Sequence, residues 1–180
     1  AVRDGRVAGP AIGPYNFFLQ LYVAPPDPEG VLFDNGMRFH GVDVLRDGRL
    51  LDDRPYLWEN DTVTLRLWWS ADEPIDADYS VGTYLHDDFS GDLIVQTDSG
   101  PQLTHLAGYL QSALPAGTSG WEPGQLYVEE REMTLPPLID RSDALFYLSV
   151  YQWWDSVRIE APGVNDELLL PLGQLNVLGW

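Results

Sequence analysis

The 180-residue sequence contains no cysteine and no lysine, and it has no long apolar run. The absence of cysteine excludes disulfides, thiolate catalysis and zinc–thiolate sites. The most apolar stretch, residues 144–154, is interrupted by Ser149 and Gln152. It is shorter than the roughly 20 apolar residues of a membrane span, so we expect no insertion of this segment into a membrane.

Charge of one sign dominates what is present. The sequence has 28 carboxylates against 10 cations, all of them arginine, and a formal net charge of -18. Such a surface repels nucleic acid and anionic lipid, so we expect neither as a partner. It is compatible with solubility, with a bound cation or with a neutral ligand such as a sugar.

Strand signals outnumber helix signals. Fourteen prolines and 17 glycines leave few windows long enough for a helix. Short β-branched or aromatic runs bounded by Gly, Pro, Asp and Asn predict strands instead. The predicted strands are Asn16–Val23, Met37–Leu45, Thr62–Trp69, Tyr79–His86, Leu93–Thr97, Leu126–Leu135, Leu145–Trp153 and Gln174–Leu178. Leu106–Leu114 suits either a strand or a helical turn. The pattern predicts an all-β antiparallel β-sandwich, jelly-roll or immunoglobulin-like.

Composition divides the chain near residue 30. The opening AVRDGRVAGPAIGP and the APPDPEG stretch at 24–30 are typical of linkers, whereas Tyr15–Val23 between them is too apolar to be free. We therefore predict that residues 1–30 form a linker with one strand added to the sandwich, and that residues 31–180 form the β-sandwich domain.

Alternation along two strands predicts which residues face the core. In Thr62–Trp69 one set of alternate residues is wholly apolar and should be buried: Val63, Leu65, Leu67 and Trp69. In Leu126–Leu135 both sets contain charged residues. That strand is therefore predicted to carry a bulge or to lie at a sheet edge, where charge discourages pairing with other chains.

The order of several short motifs is informative. LFDNGMRFHGVDVL is followed by TVTLRLWW, GDLIVQTDSGP, WEPG and LFYLSVYQWWDSVRI. This succession, over about residues 32–178, resembles the β-rich extracytoplasmic domain of bacterial membrane glycosyltransferases of the dolichyl-phosphate-mannose protein mannosyltransferase type and of related uncharacterised envelope proteins. The matching residues are Gln96, Asp98, Pro101, Trp121, Pro123, Gly124, Leu135, Pro136, Tyr151, Arg158, Leu172 and Gly173.

The resemblance implies an extracytoplasmic, bacterial domain without catalytic residues, because the transferase chemistry would belong to the membrane part of the parent protein. The chain departs from the family pattern at Gly82 and Tyr84, where a Phe and then a His are usual. Ser149 and Gln152–Trp153 likewise replace a glycine and a Tyr-Asp pair.

Tryptophans are the candidate ligand-binding residues. Trp68-Trp69 and Trp153-Trp154 each lie on a predicted strand, so one member of each pair should face away from the core. Such a ring could stack on a sugar or be covered by loops. Trp121, before a Pro-Gly turn, could be a sugar platform, although we favour a corner anchor. The candidates are Trp68, Trp121, Trp153 and Trp154.

Calcium is the one candidate metal, and no other cofactor is predicted. The DDFSGD stretch carries Asp87, Asp88 and Asp92, and loop carboxylates are suitable calcium ligands. Asp and Gly are also the residues of an ordinary β-turn, which is the interpretation we favour.

No catalytic constellation stands out. His40, His86 and His105 lack metal-type spacing, and GTSGW at 117–121 does not match a serine-nucleophile elbow. Carboxylate pairs are unavoidable in so acidic a chain and carry little weight. Together with the resemblance, which implies an extracytoplasmic accessory domain, this predicts a non-catalytic domain that recognises a glycan or a partner protein. The alternative is a carbohydrate-binding module with Trp platforms, and a small hydrolase is the least favoured class.

Overall fold

The structure is a computed structural model. It describes residues 2–3, 6–12, 19–104, 114–137 and 141–179, with side chains from Val23 onward. The ambiguous segment 106–114 therefore lies almost wholly outside the described residues. Within these ranges no helix has the length and apolar character that a membrane crossing requires.

The described chain is built from short strands joined by turns. A single 3-10 turn lies at Thr118–Gly120. The strands are β1 (Val2–Arg3), β2 (Arg6–Ile12), β3 (Leu19–Val23), β4 (Val31–Leu32), β5 (Met37–Arg46), β6 (Arg49–Leu50), β7 (Tyr56–Trp58), β8 (Thr62–Ala71), β9 (Ser80–Asp87), β10 (Leu93–Ser99), β11 (Leu126–Thr134), β12 (Ser142–Tyr151) and β13 (Leu170–Leu178).

Two five-stranded sheets form the predicted all-β sandwich. One has the order β11-β8-β5-β4, with β6 paired to β5, and the other has the order β10-β9-β12-β13-β7. The pairings in both sheets are antiparallel except that β7 runs parallel to β13, with Leu57 opposite Val177. The sequence had predicted the long strands to within a few residues, and the short β4, β6 and β7 were missed.

The core lies between the two sheets, and alternation predicted its β8 face correctly. Val63, Leu65, Leu67 and Trp69 are at most 1% exposed. Opposite them β9 and β12 contribute an apolar face that includes Val81, Leu85 and Phe146. Burial of these apolar side chains is the main stabilising contribution to the sandwich.

Strand β11 is the edge strand that its charges predicted, and it pairs with β8 in continuous register without a bulge. The prediction missed where two of those charges lie. Glu129 and Arg131 are on the inner face, 0% and 5% exposed, and form an ion pair inside the sandwich.

Both members of this buried pair have further partners. Trp69 Nε1 donates to Glu129 Oε2 at 3.2 Å, and Arg131 Nη1 donates to the carbonyl oxygen of Val81 across the core at 2.7 Å. Burial lowers the pKa of Arg131 to about 10, so the guanidinium stays charged at neutral pH.

The N-terminal strands form a three-stranded sheet of their own, in the order β1-β2-β3. The strand predicted within Tyr15–Val23 corresponds to Leu19–Val23, and its partner here is β2, whose residues the sequence had assigned to a linker. The division of the chain at residue 30 stays a prediction.

Candidate functional site

Two of the four candidate tryptophans are buried. Trp68 is 0% exposed and Trp121 is 3% exposed. Trp68 lies on the far side of its sheet from the core, where it packs against Val128 and donates its Nε1 hydrogen to Asp43 Oδ2 at 2.9 Å. As predicted, one ring of the Trp68-Trp69 pair, that of Trp68, faces away from the core, but it is covered. Neither Trp68 nor Trp121 presents an open indole face to a ligand.

Trp121 is the corner anchor that we favoured from sequence. Its ring stacks on Tyr127 with 4.7 Å between the centroids. The turn that follows is closed by the Gln125 N–H, which donates to the Glu122 carbonyl oxygen, and Gly124 adopts a positive φ of 76°. A Pro-Gly pair with a positive φ at the Gly is typical of a type II β-turn.

Trp153 and Trp154 are exposed, at 66% and 50%. They do not lie on a strand as predicted, because β12 ends at Tyr151 and the chain turns immediately afterwards. The turn is closed by two backbone hydrogen bonds between residues 152 and 156–157, and Ser156 takes a positive φ of 59°. Both indoles therefore project from a tight turn and remain accessible.

A second group of side chains meets on the outer face of the β10-β9-β12 sheet. Strand register brings them together: Gln96 lies opposite Tyr84, and Asp98 lies opposite Gly82. Their neighbours Val81 and Leu85 are in the core, so this alternate set faces away from it. Strand β12 adds Ser149 and Tyr151 on the same face.

Tyr84 lies over the sheet because position 82 has no side chain. A Cβ built on Gly82 would come within 2.2 Å of the Tyr84 hydroxyl oxygen. The ring is 8% exposed, and its hydroxyl is 3.2 Å from Ser149 Oγ. Arg158 covers it, with the guanidinium carbon 5.6 Å from the ring centroid.

Asp98 and Tyr151 form the polar centre of this face. The Tyr151 hydroxyl donates to Asp98 Oδ1. Burial, followed by this hydrogen bond, raises the pKa of Tyr151 to about 12. The phenol therefore remains protonated at any physiological pH and orients the carboxylate as a hydrogen-bond acceptor.

These residues line an open depression of about 460 Å³, which we call the outer-face cleft: Tyr84, Gln96, Asp98, Tyr151, Ser156 and Arg158. The cleft combines aromatic rings with an amide, a carboxylate, a hydroxyl and a guanidinium. Donors and acceptors beside ring faces are the chemistry that binds a polyhydroxylated ligand. Asp98 is the one carboxylate among its lining residues.

The aspartates at 87, 88 and 92 lie at a hairpin turn between β9 and β10. Asp87 Oδ1 accepts hydrogen bonds from the N–H groups of Phe89 and Ser90, at 3.0 and 2.7 Å, and the Ser90 amide lowers the pKa of Asp87. Arg141 lines the depression beside Asp87 and Asp88. In the part of the chain that the structure describes, no group of three or more His, Cys, Asp or Glu side chains is placed to hold a metal ion. Calcium at this turn stays a prediction.

Sequence reasoning singled out Gln96, Asp98, Tyr151 and Arg158 as motif positions but did not predict that they meet. Gln96 and Asp98 are on β10, Tyr151 ends β12, and Arg158 bridges back to Tyr151 from the following loop. The period-2 spacing of Gln96 and Asp98 was the available signal that they share a face.

Comparisons with known proteins give little beyond the fold. No family model matches the chain, and no curated protein matches it in sequence. Among solved structures it is similar to one described as the C-terminal domain of wzt, with a TM-score of 0.48 and 13% identity over 83% of this chain and 78% of that chain. A likeness of this extent does not bear on what the present chain binds.

Proposed function

We propose that this chain is a non-catalytic module that recognises a glycan in the outer-face cleft. The observation that carries the proposal is the convergence of Gln96, Asp98 and Tyr151 with Tyr84 and Arg158 on one exposed sheet face. A sugar hydroxyl both donates and accepts hydrogen bonds, and the cleft offers partners for each. The half-buried Tyr151 and the Arg158 guanidinium, which lies over the buried Tyr84 ring, supply the surface against which a pyranose ring packs.

The cleft favours binding over hydrolysis for a specific reason. A glycosidase needs two carboxyl groups about 5–9.5 Å apart, one of them on each side of the scissile bond. The cleft provides Asp98 alone, and its partner Tyr151 stays protonated. The charged and neutral groups of the cleft therefore suit recognition of hydroxyls rather than general acid–base chemistry.

Isothermal titration against a panel of neutral oligosaccharides tests the proposal. We expect saturable binding that weakens about ten-fold in Asp98→Asn, since a hydrogen bond to a charged acceptor contributes about 1.5–3 kcal/mol. The matched control is Asp53→Asn, which removes the same charge from an exposed position outside the cleft. Equal affinity in the two variants, or no binding of any neutral glycan by folded protein, would refute the proposal.

The wider context that we propose is an extracytoplasmic accessory domain of a bacterial membrane glycosyltransferase or related envelope protein. Its support is that four residues of the ordered motif pattern, Gln96, Asp98, Tyr151 and Arg158, line a single cleft. Protease protection of the full-length parent protein in intact cells, against lysed cells as control, tests this. Digestion of the domain from outside the cytoplasmic membrane is expected, and protection until lysis would contradict it.

A further inference from the structure

A second exposed surface is formed by the two tryptophans in the turn that follows β12. Trp153 and Trp154 contact each other edge to face, with 5.9 Å between ring centroids and an interplanar angle of 89°. Trp154 also lies 6.5 Å from the ring of Tyr79. We call these three aromatic residues the tryptophan edge. Their mutual contacts hold two accessible indoles in a fixed arrangement.

Tyr79 is anchored firmly enough to give this edge a rigid base. The Thr118 hydroxyl accepts a hydrogen bond from the Tyr79 N–H at 2.9 Å and donates to the Ala77 carbonyl oxygen at 2.8 Å. Between these two residues, Asp78 Oδ1 accepts from the backbone N–H and from the hydroxyl of Ser119. The segment bearing Tyr79 is thus tied on both sides to the 3-10 turn.

An acidic cavity of about 410 Å³ adjoins the tryptophan edge at Tyr79. Three of its lining residues are carboxylates, and none is basic: Asp34, Asn35, Glu73, Pro74, Asp76, Tyr79 and Ile159. Asp76 Oδ1 accepts a hydrogen bond from the Tyr79 hydroxyl at 2.9 Å. The cavity therefore places negative charge beside the tryptophan edge.

We infer that the tryptophan edge and this cavity together bind a saccharide that carries a free amino group. The indole faces take up the apolar face of the sugar ring, and the Asp76 and Glu73 carboxylates attract its ammonium group. A cation beside an aromatic face is further stabilised by the ring quadrupole. This inference rests on the proposed glycan-binding function and assigns a ligand class to a second surface.

Charge complementarity selects this ligand over a neutral sugar. The outer-face cleft contains one carboxylate, Asp98, and one cation, Arg158, whereas the lining of the acidic cavity contains three carboxylates and no cation. The protein as a whole carries a net charge of -18, which draws cationic ligands towards it at low ionic strength. The two surfaces therefore divide neutral from amine-bearing sugars between them.

The test is calorimetric titration with a trimer of β-1,4-linked glucosamine and with its fully N-acetylated counterpart, which lacks the ammonium groups. We expect the amine-bearing trimer to bind at least about ten-fold more tightly. A Trp153→Ala/Trp154→Ala variant and a Glu73→Gln/Asp76→Asn variant should each lose most of that preference. The matched controls are Trp58→Ala, an indole 47% exposed elsewhere, and Asp52→Asn/Asp53→Asn, which removes two exposed charges outside the cavity.

Three outcomes would overturn the inference and leave the proposed binding of neutral glycans standing. One is equal affinity for the two trimers, and another is full affinity in the Trp153→Ala/Trp154→Ala variant. The third is an equal loss in the Asp52→Asn/Asp53→Asn control, which would show non-specific attraction of a polycation to an acidic surface. Failure of the proposed function is distinct, because it shows as the absence of any Asp98-dependent binding of neutral glycans.

Discussion

Separating the buried Glu129–Arg131 pair is predicted to destabilise the sandwich strongly. Arg131→Met leaves the Glu129 carboxylate 0% exposed without its cation and leaves the Val81 carbonyl oxygen without its side-chain donor. Removing one partner of a buried pair lowers the free energy of unfolding by about 3–5 kcal/mol. We take the unpaired Val81 carbonyl oxygen as included in that figure. We expect the free energy of unfolding to drop by that amount.

The double variant Glu129→Leu/Arg131→Met should lower the free energy of unfolding by less than the two single variants together. It removes both charges, and what remains is a Trp69 N–H and a Val81 carbonyl without partners, each about 1–3 kcal/mol. The two single variants together lower the free energy of unfolding by about 6–10 kcal/mol and the double variant by about 2–6 kcal/mol, so the coupling energy between the two positions is expected to be about 4 kcal/mol.

Urea unfolding followed by tryptophan fluorescence measures these differences, provided that the slope of the transition is unchanged. The control is Arg66→Met, because Arg66 pairs with Glu130 at 2.8 Å on the outer side of the same two strands, with side chains 23% and 33% exposed. A surface pair of this kind contributes about 0–1 kcal/mol. If Arg131→Met lowers the free energy of unfolding by no more than Arg66→Met does, the reasoning about the buried pair is refuted.

Three further predictions concern single positions. Gly82→Ala should displace the Tyr84 side chain, lower stability by about 1–3 kcal/mol and weaken neutral-glycan binding, since the new Cβ would lie 2.2 Å from the Tyr84 hydroxyl oxygen; unchanged binding by calorimetry would contradict this. Burial lowers the pKa of His40 below its ordinary 6.5, so the unfolded chain takes up that proton first and stability should fall as pH drops below about 6.5. Urea titrations across pH 4.5–7.5 should show this fall in the free energy of unfolding, at most about 1.4 kcal/mol per pH unit, and the fall should be smaller in His40→Gln. Asp87→Ala should lower the melting temperature equally with and without calcium, because its carboxylate already accepts two backbone N–H groups; a calcium-dependent rise in the unsubstituted protein would refute this.

Local pattern predicted the parts of this fold that depend on neighbours in sequence. Period-2 alternation identified the buried face of β8, and the Pro-Gly pair at 123–124 predicted the turn that Trp121 anchors. The same rule failed on β11, because an inward charge is tolerated there only through a partner two residues away on the same strand. The alternation of polar and apolar residues does not show whether an inward charge has an ion-pair partner.

The candidate site could be predicted only in part, because it depends on register between distant strands. Asp98 meets Tyr151 because β10 and β12 both pair with β9, and nothing local in either segment encodes that arrangement. Trp153 was placed on a strand because the aromatic run contains no Gly or Pro. The chain nevertheless turns there, with Ser156 adopting the left-handed backbone.

The parallel pairing of β7 with β13 has a consequence for how the protein folds. It joins Leu57 to Val177, which are far apart in the sequence, and both belong to the same buried cluster. Closing so large a loop costs chain entropy before any contact compensates for it. During synthesis this buried cluster cannot be completed until β13 leaves the ribosome. We therefore expect folding on the millisecond-to-second scale that non-local β-topologies show, with the β7 edge among the last parts to form.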